Sequence, residues 1–379
     1  MPAGNLPRGV LKSGRGSLVR DVIYDALCGP KGYFATRLPV LAAHTALPFR
    51  EMTGRADYER ALTERYAERA GFLTPAEIFA PWYSYAAARW ALAWHRVDAA
   101  KAARVGLRPP PLRVAEFGVG SGAHAVHFLD YVRTHAPAVF ATCRYAGVDA
   151  SQEACAAFEA RLQAAHPGVA ATIVADARSD WALPDGFSDD STPTVVFALE
   201  LLDNLPHDKV RGGFEGWVVD GREDFRPVSD PWVKQALALE TMEGDAFVPT
   251  GALQFLARVF AGAPRPRLFL ADFDQLPRPS GRDANTTNAP LVAAADRDLE
   301  SYLDAQGDAD IFFATDFDWL SRAYAASGGV GAVAAAPPAE FFARAPDLAT
   351  ATSTRSGYNP LLEEFWNTRI FLAPGQDVA

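Results

Sequence analysis

Five short apolar segments, 112–117, 144–148, 169–174, 194–199 and 267–271, each end at an acidic residue: Glu116, Asp149, Asp176, Glu200 and Asp272. Helical stretches separate them, one running from the glycines after Phe117 to about His135 and another over 153–165. Short buried strands alternating with helices predict a parallel sheet with right-handed crossovers. In such sheets ligands bind beyond the carboxyl ends of the strands. One acid at a strand end is commonly a helix cap, whereas five delivered to one edge predict a polar site.

The chain of 379 residues has room for two domains, or for one large domain with insertions, at roughly 150 residues per domain. Its 49% hydrophobic and 22% charged residues are those of an ordinary globular protein, which excludes a disordered or disulfide-stapled chain. A net charge of −10 with scattered basic residues disfavours a nucleic-acid partner. Cys28, Cys143 and Cys155 are far apart and form no metal-type or redox pair, as in a reducing compartment. No stretch is long and apolar enough to span a membrane, since the best candidate, 72–95, is interrupted by Glu77 and Arg89. Arg8, Lys12, Arg15 and Arg20 precede the first acid, Asp21, so residues 1–16 read either as a short mitochondrial targeting segment or as an ordinary basic N-terminus.

Residues 17–107 read as a helical, aromatic-rich N-terminal lobe. Within it, Thr74-Pro75-Ala76-Glu77 is a capping box that opens a helix running through Trp82, Ala86 and Trp90. Arg108-Pro109-Pro110-Pro111 ends the lobe, because three prolines cannot continue a helix. Residues 112–379 then form the sheet domain. Segment 207–265 exceeds what a crossover needs and reads as an insertion. Segments 311–313 and 369–372 are the last strand candidates, and 328–338 reads as a loop.

The loop Glu116-Phe117-Gly118-Val119-Gly120-Ser121-Gly122-Ala123 fits two templates. As G-x-G-x-x-A it is a dinucleotide fingerprint, the basis for an NAD-linked alternative. As acid-x-G-x-G-x-G it is the loop of proteins that bind S-adenosylmethionine. The second fits better. Glu116 stands where an acid can hold a methionine ammonium, Asp149 can take the ribose hydroxyls, and Asp176 can accept from the adenine amino group. Ala150 and Ala177, next to these acids, would line the same pocket. A dinucleotide site also wants its ribose acid about 20 residues on, and Asp149 lies about 30 residues past Gly118. A purely structural glycine turn is the bland reading.

The fourth strand end, Glu200-Leu201-Leu202-Asp203-Asn204-Leu205-Pro206, lacks the Asn/Asp-Pro-Pro-aromatic motif of amide and base N-methyltransferases. Two carboxylates there suit a cation. A guanidinium stays charged at any working pH and pairs bidentately with carboxylates, so Glu200 and Asp203 could orient such an acceptor and take its proton. The alternative is that Asp203 caps a following helix and Glu200 serves only the cofactor. His124 and His127, three apart on one helix, lack a third ligand at metal spacing.

At these residues the chain resembles the MidA family, which includes mitochondrial protein-arginine methyltransferases of the complex I assembly type. Gly29-Pro30-Lys31-Gly32-Tyr33-Phe34 is similar to the family's P-x-G-Y-aromatic segment, and Phe72-Leu73-Thr74-Pro75-Ala76-Glu77 to its F-x-T-x-P-E stretch. The glycine loop matches, and Glu200 to Pro206 matches E-x-x-D-A-L-P. Asp272-Phe273-Asp274 stands where the family has D-Y-G, and Gly307-Asp308-Ala309-Asp310-Ile311 where it has G-E-A-D-L. The tail 354–362 looks like the fungal branch. The chain departs from the family at Val119, Leu199, Ala314-Thr315 and Asp274.

The resemblance implies a Rossmann-like class I fold: a mostly parallel seven-stranded sheet with a helical N-terminal lobe and an insertion. It implies S-adenosylmethionine as cofactor, a protein arginine as acceptor, a respiratory complex I subunit as partner, and a mitochondrial location. The cofactor residues would be Glu116, Gly118, Gly120, Gly122, Asp149, Ala150, Asp176 and Ala177, and the catalytic ones Glu200 and Asp203. The departures on the acceptor side motivate an alternative: an assembly factor or scaffold that does no chemistry.

Overall fold

The computed structural model describes residues 16–36, 46–68 and 74–374, apart from 188, 241, 243 and 296. The segment 1–15, His44, Phe72 and Leu73 lie outside the described residues.

Seven strands form the main sheet: β1 (Arg113–Phe117), β2 (Arg144–Asp149), β3 (Ala170–Val174), β4 (Thr194–Leu199), β5 (Arg267–Phe273), β6 (Ala334–Ala336) and β7 (Thr368–Ala373). Their order across the sheet is β6-β7-β5-β4-β1-β2-β3. β1 to β5 run parallel, while β7 and β6 are antiparallel additions at one edge. All five residues of β1 are buried, as expected of a central parallel strand covered on both faces.

Alternation along the strands sorts side chains into two cores. Val114, Tyr145, Val195, Phe197 and Phe269 face one core, together with Phe128 and Leu129. Ala115, Phe117, Val148, Val196 and Ala198 face the other, with Leu253, Leu256, Trp319 and Leu320.

Among the described residues, seven helices of ten residues or more surround the sheet and its additions: α1 (Val19–Cys28), α2 (Arg55–Glu68), α3 (Trp82–Arg104), α4 (Ala123–His135), α5 (Gln152–Ala165), α6 (Thr250–Gly262) and α7 (Phe317–Ala326). The capping box at Thr74 does form, but it opens a single turn, Pro75–Ile78. The predicted continuous helix is broken before Trp82, because Pro81 has no N–H to donate and its ring clashes with the preceding turn.

The described residues of 17–107 do not share one core. Tyr58, Phe79, Tyr83 and Leu92 pack on the first face of the sheet. Val19, Ile23 and Leu27 of α1 instead join Val218, Phe247, Tyr302 and Ile311 in a third cluster. Strand Ser17–Leu18 also pairs with strand Phe214–Val219 of the insertion. Arg20 fastens this arrangement: its guanidinium donates to Asp208 Oδ2 at 2.6 Å and to Asp230 Oδ2 at 2.6 Å.

The insertion is shorter than 207–265. It contributes strands Asp208–Arg211, Phe214–Val219, Arg222–Pro227 and Asp245–Val248, whereas α6 is a regular crossover helix buried on the main sheet. Strand Ala309–Phe312 does not extend the main sheet either: it pairs with Leu291–Ala294 in a separate hairpin. The tract 328–338 is not all loop, since it contains β6.

Candidate functional site

Beyond the carboxyl end of β1 the backbone turns through Gly118, Gly120 and Gly122, all at positive φ (72°, 47° and 73°). A Cβ on Gly122 would lie 3.1 Å from the ring of Phe158 and 3.3 Å from its Cα, so the close approach of α4 to α5 requires glycine. A Cβ on Gly120 would meet nothing within 4 Å. That open space is where a ligand can touch the backbone.

The first two strand-end acids point into this region and are well supported. The Tyr145 hydroxyl donates to Glu116 Oε2 at 2.7 Å. Burial still outweighs that bond and pushes the Glu116 carboxyl up to about 8. Asp149 Oδ1 accepts from Ser151 N at 2.9 Å and its Oδ2 from Gly120 N at 3.4 Å, while burial raises its pKa. Ala150 beside it is exposed.

Asp176, expected to accept from an adenine amino group, is engaged by a neighbour. Arg178 donates from Nη2 to its Oδ2 at 2.8 Å, from Nε to its Oδ1 at 3.2 Å and from its backbone N at 2.9 Å. The same guanidinium lies 4.4 Å from the ring centroid of Tyr24 on α1. Ala177 is buried. The end of α1 therefore stands beside the acids: the Cys28 thiol is pushed up to about 12 by burial and then by Asp176 and, less, by Asp149 and Asp310. Just beyond, Lys31 O presses on Gly307, where a Cβ would sit only 1.9 Å away.

The second group of acids is built differently. Glu200 holds a left-handed backbone, φ 51°, rare for a residue with a Cβ. Its N donates to Ala271 O at 2.8 Å, but its carboxylate has no hydrogen-bond partner among the described residues. Burial, then Asp272 and Glu77, pushes it well above the carboxylate range. Asp203 is 5% exposed, and its Oδ1 has no hydrogen-bond partner among the described residues. Burial, then Asp272, Asp310 and Glu200, pushes it up as well. Asp203 caps no helix: residues 201–205 form turns that lead to strand Asp208–Arg211.

Asp272 pins those turns by accepting from Leu202 N at 2.7 Å, Asp203 N at 3.1 Å and Phe273 N at 2.8 Å. Burial outweighs these bonds and raises its pKa. Asp310 arrives from the hairpin and accepts from Asn204 Nδ2 at 2.8 Å.

A narrow, partly open cleft lies over this group, lined among others by Tyr83, Glu200, Asp272, Pro338, Leu361 and Phe365. Glu77 joins the two regions, since Ser121 Oγ of the glycine loop donates to its Oε1 at 2.6 Å. The sequence signals Glu77 as a capping residue within the F-x-T-x-P-E-like stretch and Asp272 as a strand-end acid within the segment that stands for D-Y-G. Asp310 stands in the segment that resembles the family's G-E-A-D-L, whereas Tyr83 and Tyr145 carry no local signal.

No group of three or more His, Cys, Asp or Glu is placed to hold a metal among the described residues. His124 is buried, with Nδ1 at 3.1 Å from Ser84 Oγ, and burial pushes it down to about 3. Nor is any described helix long and apolar enough to cross a membrane.

A parallel sheet whose first strand runs into a three-glycine turn, with carboxylates at the ends of its first strands, defines an α/β protein that binds a nucleoside-containing cofactor. More particularly, the chain belongs to a family of S-adenosyl-L-methionine-dependent methyltransferases, whose family model matches residues 86–334. No curated protein sequence matches it. Two solved structures from Burkholderia thailandensis share the fold at a TM-score of 0.61. One is a native protein, 18% identical, and the other was solved with S-adenosylhomocysteine bound, 19% identical; each alignment covers 96% of this chain and 89% of the other.

The residues present fit the cofactor that the family implies. Gly120 leaves space that a side chain would fill, Glu116 is a buried carboxyl whose charged form a cation would favour, and Asp149 stands beside the glycine turn, accepting from Gly120 N. Glu116, the glycine turn and Asp149 would hold it.

Proposed function

We propose that this chain is a protein arginine N-methyltransferase, with Glu200 and Asp203 orienting the acceptor. The observation that carries the reading is the partnerless carboxylate of Glu200 at the base of a cleft, beside Asp203 and Asp272. Neither Glu200 nor Asp203 has a basic partner among the described residues. Buried acids of one sign raise one another's pKa until a cation arrives, and a guanidinium brings permanent charge with N–H groups in a planar fork.

Bound S-adenosylmethionine supplies a methyl carbon on a sulfonium, which an acceptor nitrogen takes with its electron pair as the C–S bond breaks, leaving S-adenosylhomocysteine and a proton. Glu200, held at its odd backbone angle by the bond to Ala271 O, is placed to align the nitrogen and to take that proton. A complex I subunit as acceptor and a mitochondrial location rest on the MidA resemblance alone. A scaffold without chemistry is the second reading. It draws on Asp274, whose carboxylate accepts from Arg369 Nε at 2.9 Å at the end of β5, where the family has glycine.

Glu200→Gln tests the choice. Transfer of labelled methyl groups from S-adenosylmethionine into a mitochondrial extract, read as methylarginine after hydrolysis, should fall by about 100-fold or more, with S-adenosylhomocysteine binding retained. Equal incorporation by the variant removes Glu200 from the chemistry. No incorporation by the unaltered protein favours the scaffold.

A further inference from the structure

Tyr83 lies in the first turn of α3, 4% exposed, its ring 5.7 Å from that of Phe342. Its hydroxyl has no hydrogen-bond partner among the described residues. It lines the same cleft as Glu200 and Asp272, and both carboxylates act on its phenol. A Tyr hydroxyl at the wall of a cleft normally finds a partner. The rest of that cleft is largely apolar, with Ala76, Pro338, Leu361 and Phe365 above the acids. Such a cleft suits a side chain with an aliphatic stem and a charged head, because the stem covers apolar wall while the head meets the carboxylates.

We propose that Tyr83 is the positioning residue for the acceptor head group: its oxygen accepts one N–H of the cation while its own proton goes to Glu200 or Asp272. The ligand class is an unbranched aliphatic cation, with its stem along Pro338, Leu361 and Phe365. This deepens the methyltransferase reading and rests on it for the identity of the head as a guanidinium. The phenol is both donor and acceptor, so it can lie between a carboxylate and a cation without adding charge. A carboxylate in its place would add repulsion, and a phenyl ring would leave one N–H of the buried cation unpaired.

The test uses the full chain saturated with S-adenosylhomocysteine and two probes, n-butylguanidinium and n-butylammonium, titrated calorimetrically into the unaltered protein and into Tyr83→Phe. The variant keeps the ring and its contact with Phe342. Binding of n-butylguanidinium should weaken about tenfold or more, the size of one hydrogen bond to a charged group. The preference for guanidinium over ammonium should narrow with it, while S-adenosylhomocysteine affinity and melting temperature stay unchanged. A merely structural role would not alter that preference. If both probes bind the variant as they bind the parent, the role of Tyr83 is overturned and the arginine reading stands. If the parent prefers n-butylammonium and the variant loses it, the cation channel stands and the arginine reading falls. If neither probe binds the parent, both fall.

Discussion

The acids around Gly118 to Gly122 and the acids around Glu200 occupy the same sheet edge but live under opposite conditions. Glu116 accepts from Tyr145, and Asp149 from two backbone N–H groups. Asp176 is clasped by Arg178. Across the edge, Glu200 and Asp203 Oδ1 have no hydrogen-bond partner among the described residues, and Asp272 spends its bonds on the turn that presents them. A buried carboxylate with donors is already a finished structure, whereas one without them is a demand for a cation. On the proposed reading the first set holds the cofactor and the second receives the acceptor.

The glycine turn breaks this comparison most forcefully, because its residues do different work. Gly122→Ala puts a Cβ into Phe158 at a left-handed position, and should cost about 2 kcal/mol or more in urea unfolding. Gly120→Ala should cost only about 1 kcal/mol, the strain of its backbone angle, since its Cβ meets open space. Its S-adenosylhomocysteine affinity should nevertheless fall by about tenfold or more by calorimetry. Equal stability losses in the two variants, with affinity untouched in Gly120→Ala, would deny that the turn faces the cofactor.

A smaller effect appears in the pH dependence. Folded Glu116 keeps its proton up to about pH 8, whereas the unfolded carboxyl releases it near its ordinary 4.5. The stability it contributes is complete below about 4.5 and is lost as pH rises through 8. Glu116→Gln should flatten that part of the thermal melting profile. A cofactor ammonium that needs the ionised carboxylate should also bind more tightly as pH rises toward 8, with uptake of the released proton by the buffer. Affinity that does not vary with pH would place the ammonium elsewhere. Tyr145→Phe sharpens the same point at the smallest scale. Loss of its hydrogen bond should cost about 1 kcal/mol and move the Glu116 transition to higher pH, because that bond favours the charged form.

Much of the fold was legible along the chain. β1 to β5 lie within a residue or two of the apolar segments that announced them, and the glycine turn stands where its spacing put it. What escaped was set by distant packing. Proline at 81 stopped a helix whose apolar pattern ran on, and α1 crossed to the insertion because Arg20 meets acids 188 and 210 positions away. Asp176 looked available until Arg178 folded back on it.

The order of strands and helices, the need for glycine in the turn and the procession of acids along one edge were thus determined by the sequence itself, because hydrophobic periodicity and backbone conformation are local properties. Tertiary structure decided which acids are satisfied. Only packing brings Glu77 to Ser121, Tyr83 beside Glu200 and Asp310 beside Asn204. Whether a carboxylate is finished or waiting depends on donors contributed by elements far along the chain, and no local pattern records them.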